Sequence, residues 1–188
     1  QRYELDSLRQ FAAAAPLKPG QYLTGVAELR VPPGRYTTTL VLTQEGGRGA
    51  LARLAAVAAP GSTGLQVSDV VLGREGSGIW WNSGTSRVPM NPLNAYAKGA
   101  EAELYYQLGG LKEGESYATR FEFIPVGGKD EKPKLSLGFS AVADGPRAEV
   151  MRTVGLENLD PGSYRLRVTV RGAGEESSAT AWLVIAKK

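Results

Sequence analysis

The chain has no cysteine and no histidine. Without cysteine there are no disulfides, no thiolate nucleophile and no sulfur-ligated metal, and either redox compartment is compatible with that absence. The missing histidine excludes more. Ser-His-Asp and Cys-His nucleophile systems, histidine-ligated zinc and the commonest general base all go with it. Long hydrophobic runs are also missing, and no stretch approaches the roughly 20 apolar residues that a membrane-spanning helix needs. Charge of one sign is scarce: the net charge is +3 over 188 residues, too weak a field to point to nucleic acid or an anionic membrane. No "GxxxxGK" loop is present to cradle a phosphate, and Asp130 and Glu131 in the charged tip "GGKDEKPK" do not make a calcium loop. Nothing in the composition implies a cofactor or a metal.

What is present is turn chemistry and alternation. Twenty-four glycines and 11 prolines punctuate a chain that is 42% hydrophobic, a balance natural to a folded protein of many short strands. Only the start departs from this. Leu5, Leu8, Phe11 and Ala15 recur at helical spacing before Pro16, which predicts one short N-terminal helix within residues 1–20. Beginning at Gln1 is explained equally well by a removed signal peptide or a trimmed chain.

From residue 21 onward the pattern is strand and turn. "QYLTGVAELRV", "RYTTTLVLTQ" and "ALARLAAVAAP" predict about three strands over residues 21–60, a small β unit that is only part of a sandwich. The linker "PGSTG" then marks a boundary, and residues 65–188 form the main domain. Its segments "AEAELYYQL", "SYATRFEFIPV", "KLSLGFSAV", "AEVMRTVGL", "SYRLRVTVRG" and "SATAWLVIA" alternate apolar and polar residues. Ala102, Leu104, Tyr106 and Leu108 share one face, as do Leu135, Leu137, Phe139 and Ala141. In "LQVSDVVLG" the alternation slips at Ser68-Asp69, which predicts a bulge or a change of sheet, with Asp69 bonding backbone there. The fold class that follows is all-β: an antiparallel β-sandwich, immunoglobulin- or fibronectin-like, with a smaller second β unit.

A unit recurs. "PPGRYTTTLVLTQ" and "DPGSYRLRVTVRG" align on Tyr36 and Tyr164, an offset of 164 − 36 = 128 residues. Without a gap, Leu54 then falls on Trp182 and Val57 on Ile185. A proline-glycine turn, a tyrosine-led strand and a closing strand predict the same hairpin twice. The tyrosine ring enters the core at the strand's start while its hydroxyl reaches corner backbone.

The stretches "LQVSDVVLG", "NPLNAY", "AELYYQLGGLKEGESYATRFEF" and "LENLDPGSYRLRVTVRG" resemble, in order and spacing, the C-terminal β-sandwich region of bacterial GWxTD-domain proteins. The resemblance spans about Gly64 to Ala186. The G-W-x-T-D motif itself does not occur, so no activity or catalytic residue is carried over. The resemblance implies an exported bacterial protein of the periplasm or cell envelope.

Two stretches are candidates for contact with a partner. Trp80 and Trp81 in "GIWWNSGTSR" point to opposite sides of an extended chain. One is expected in the core and the other on the surface beside Asn82, Ser83 and Thr85, where it suits a protein contact or a sugar ring. Arg165, Arg167 and Arg171 form a basic stripe on one strand's outward face, suited to an anionic patch on a protein. An enzyme of carboxylate type would need a partner acid for Asp69, and Glu101 and Glu103 qualify only by elimination. The expectation is therefore a non-catalytic interaction or accessory module of the envelope, an extrinsic subunit of a larger, membrane-associated protein assembly. The alternative is a carbohydrate-binding module using Trp80 or Trp81.

Overall fold

The computed structural model describes residues 8, 10, 12–13, 15–21, 23–43, 46–47, 49–58, 64–127 and 131–187, with the side chains of 54–58 left aside. By its internal contacts the chain divides into two units, and each is described by itself.

The smaller unit contains one hairpin, β1 (Gly34–Thr43) paired antiparallel with β2 (Gly49–Ala58). Among the described residues of 21–60 two strands are found, not three. Leu23, Val26 and Leu29, in the first of the three predicted strands, are exposed, and the described residues of that stretch form no strand. Alternation confers a capacity to pair, but a strand exists only where its backbone groups meet a ladder.

The helix expected within residues 1–20 is likewise not seen. Residues 1–7, 9, 11 and 14 lie outside the described set, and the described residues of that stretch are not helical. Leu8 is 83% exposed, so that side chain of the stripe is not packed. A helix this short does not repay its nucleation without such packing. The chain instead turns at Lys18, whose carbonyl accepts the Gln21 N–H at 3.0 Å.

The larger unit holds the other strands. A five-stranded sheet runs in the order β10 (Leu135–Val142), β9 (Ser116–Pro125), β12 (Gly162–Gly172), β13 (Glu175–Ala186), β7 (Ala95–Ala97). All its pairs are antiparallel except β7 on β13. In a second sheet β8 (Glu101–Gly109) is flanked by β11 (Arg147–Gly155) on one side, and by β3 (Gln66–Val67) and β4 (Val71–Gly73) on the other. A short hairpin, β5 (Trp80–Ser83) with β6 (Ser86–Pro89), is separate.

One apolar core takes side chains from both larger sheets. Leu104, Tyr106 and Leu108 of β8 meet Phe121 and Phe123 of β9 and Leu166, Val168 and Val170 of β12 there. The predicted faces of β8, β10 and β12 are thus the ones that turn inward. Tyr106 links the sheets: its ring meets Phe121 edge-on at 5.9 Å, and its hydroxyl donates to Thr119 Oγ1 at 3.2 Å.

The slip at Ser68-Asp69 is a bulge. Val67 pairs with Leu108 and Val71 with Tyr105, so four steps on one strand oppose three on the other. The extra residue restores the phase, and Leu65, Val67, Val70 and Leu72 all pack on the same core. The polar group that serves the bulge is Ser68, not Asp69. Ser68 Oγ accepts the Gln107 N–H at 2.9 Å, while Asp69 is exposed.

The repeated phrase is the same device in both places. Tyr164 Oη donates to the Asp160 carbonyl at 2.9 Å, and Tyr36 Oη donates to the Pro32 carbonyl at 2.7 Å, each four residues upstream. The gapless alignment fails beyond the first strand. Tyr164 lies opposite Leu183, which an offset of 128 carries back to Ala55, but Tyr36 lies opposite Ala56. The cause is the turn. β12 and β13 are joined by only Ala173-Gly174, both at positive φ (52° and 79°), a two-residue turn of the kind that suits strand twist. Five residues separate Thr43 from Gly49.

Candidate functional site

The two sequence-predicted candidates lie on different sheets, each on the face turned away from the shared core. They form two sites and do not come together.

The first is the β5–β6 hairpin. Tyr105 follows the inward-facing Leu104, so it points to the outer side of β8, and yet it is buried. The hairpin buries it. Trp81 meets the Tyr105 ring edge-on at 5.6 Å. Tyr105 Oη donates to Ser83 Oγ at 2.7 Å, and Gln107 Nε2 donates to Ser83 Oγ and Tyr105 Oη, both at 2.8 Å. Ser83, expected at the surface, is therefore a buried bridge, because strand alternation puts it on the same side as Trp81. Ser86 Oγ adds a bond to Glu149 at 2.6 Å. Trp80 is the exposed tryptophan, at 40%, with Asn82 exposed on the same side. Its ring face carries the Arg87 guanidinium at 4.2 Å. The two indoles thus stand on opposite faces and make no stacking platform.

The second is the outer face of the five-stranded sheet. Leu166, Val168 and Val170 point inward, so Arg165, Arg167, Thr169 and Arg171 point outward. The arginines are not a bare basic stripe. Arg165 bonds Glu131 at 2.9 Å, Arg167 bonds Glu122 at 2.9 Å, and Arg171 pairs with Glu176. Spacing along β12 could show the cations only. The carboxylates come from β9, β13 and the segment before β10, which the sheet brings alongside. Arg165 also keeps its Nε buried without a hydrogen-bond partner.

Between these pairs lies a groove of about 520 Å³ across β10, β9, β12 and β13. Register explains it. Gly138, Arg120, Thr169 and Ser178 form one row across the four strands, and Ser140, Ala118, Arg171 and Glu176 form the next. Small side chains make the floor, and long charged ones make the rims. Arg120, which the sequence reading missed, lines this groove and has no ion pair among the described residues. Its signal in the sequence was only an outward position on an alternating strand.

Of the carboxylates considered for catalysis, Asp69 and Glu101 are exposed and Glu103 has a structural partner. Glu103 accepts from Thr153 Oγ1 at 2.8 Å, and Asp69 projects from the bulge. Asp130 lies outside the described residues. No group of three or more acidic side chains gathers as a metal site among the described residues. No helix is long and apolar enough to cross a membrane among them. The chain matches no family model and no curated protein.

Proposed function

We propose that the chain is a non-catalytic module of the bacterial cell envelope that binds another protein, as an extrinsic subunit of a larger assembly. In this reading the larger unit is a rigid immunoglobulin-like β-sandwich. Its support is the core shared by the two sheets and the tyrosine corner at Tyr164, whose hydroxyl bonds backbone four residues upstream. The placement in the envelope rests on the resemblance of residues 64–186 to the C-terminal region of GWxTD-domain proteins.

The observation that carries the binding role is the β1–β2 hairpin. No other described strand pairs with either of its edges. Leu40, Val41, Leu42 and Leu51 are exposed by 45–60%. A lone two-stranded hairpin is marginal in water, and an uncharged, apolar edge invites another chain. No lysine or acid interrupts residues 36–43 to discourage it.

The test is co-purification of the tagged chain from its native membranes. A stoichiometric subunit retained by the wild type and lost on Leu40→Lys or Leu42→Lys is expected. Elution of the chain alone sinks the reading. Saturable binding on a glycan array that Trp80→Ala abolishes would replace it with the sugar-binding alternative.

A further inference from the structure

We infer that the groove on the outer face of the five-stranded sheet is a carboxylate site, and that it takes a single Asp or Glu side chain of the protein partner. The partner clause rests on the binding-module reading above. Three guanidiniums and two carboxylates line the groove: Arg120, Arg167 and Arg171 against Glu122 and Glu176. Glu122 and Glu176 are committed to Arg167 and Arg171. One positive charge is left over, and it belongs to Arg120.

The geometry favours a single carboxylate over other anions. The largely buried Glu122 steadies Arg167, so less of its side-chain entropy is lost when a ligand arrives beside it. Arg120 sits one row from each, opposite Thr169 on β12 and Gly138 on β10. Gly138 leaves open space beside it, since a Cβ built there meets nothing within 4 Å. The Thr169 and Ser178 hydroxyls stand in the same row as further donors. A planar guanidinium in a row with hydroxyl donors suits a carboxylate, which it can bind bidentately. A polyanion, such as a nucleic acid or an acidic polysaccharide, would run its further charges onto Glu122 and Glu176.

The test is a titration read at the arginine side chains by NMR. The probe is the capped tripeptide acetyl-Gly-Glu-Gly-amide, with acetyl-Gly-Gln-Gly-amide as its neutral twin. Saturable movement of the Arg120 Nε–Hε signal, at roughly millimolar affinity, is expected from the Glu peptide alone. In Arg120→Gln the Arg167 and Arg171 signals should respond at least tenfold more weakly, with the backbone amide spectrum otherwise intact. An equal response to both peptides, or no saturation, overturns the site. So does oligogalacturonate binding ten times more tightly than the peptide, which would make the groove a polysaccharide site.

Co-purification separates this inference from the reading beneath it. A subunit retained equally by wild type and Arg120→Gln overturns the groove's part in binding and leaves the module reading intact. If the wild type retains nothing while the Glu peptide still moves Arg120, the module reading fails and the carboxylate site stands without its protein partner.

Discussion

Replacing Tyr164 with alanine should be among the most damaging single changes in the larger unit. The ring is 4% exposed and belongs to the shared core. A buried aromatic removes about 150–250 Å² from water. At about 25 cal/mol per Å² that is worth about 4–6 kcal/mol, an upper bound because the unfolded chain already hides part of it. Aromatic-to-alanine truncations in cores cost about 3–5 kcal/mol, which agrees. Urea unfolding followed by tryptophan fluorescence reads the loss. With a slope of about 2 kcal/mol per molar, the midpoint should fall by about 2 M at unchanged slope. Tyr164→Phe keeps the ring and removes only the bond to the Asp160 carbonyl. Asp160 is exposed and water can replace the hydroxyl, so the cost should sit at the low end of about 0.5–1.5 kcal/mol. An alanine variant with an unmoved midpoint would refute the corner-and-core account of this tyrosine.

Trp81→Ala should cost about 3 kcal/mol or more because it uncovers Tyr105, while Trp80→Ala should stay within about 0.5 kcal/mol, and equal denaturation midpoints would show the hairpin is not a lid. Burial pushes the Tyr96 phenol up to about 12, and its hydroxyl bonds the Gly73 carbonyl at 2.9 Å. Its folded pKa lies above the unfolded value of about 10, so its contribution is complete below about pH 10 and lost as pH rises toward 12. Tyr96→Phe should therefore lose less stability than the wild type across that window, and parallel alkaline stability curves would contradict this. Amides of Thr37–Thr43 should exchange fast in the isolated chain and slowly in its native assembly, whereas those of Arg165–Arg171, between two neighbouring strands, should be slow in both. Equal protection in the isolated chain would mean that the hairpin is complete without a partner.

Much of the strand content was readable from one dimension because side chains in a strand alternate with a fixed period. The inward faces of β8, β10 and β12 needed only that period, and the bulge after Val67 announced itself as a break in it. Helical spacing in residues 1–20 carried no such guarantee. Periodicity records which side chains are apolar together, and the exposed Leu8 shows that such a side chain need not be packed. The second strand of each hairpin was misaligned for a related reason. Turn length sets register, and a one-residue difference in turn parity turns a strand over without changing its composition.

The sequence by itself determined the class of fold, the excluded chemistries and the outward position of Arg165, Arg167 and Arg171. Local alternation, turn residues and missing side chains are properties of the chain taken in order. Only the tertiary structure decided that these arginines are paired, that Ser83 is buried, and that Arg120 stands beside them with no carboxylate partner among the described residues. Each of those facts depends on strands far apart in sequence lying side by side, and hydrogen-bonded register between strands makes such neighbours. Glu122 reaches Arg167 across 45 residues of chain because β9 and β12 are adjacent in one sheet, and no local pattern records that adjacency.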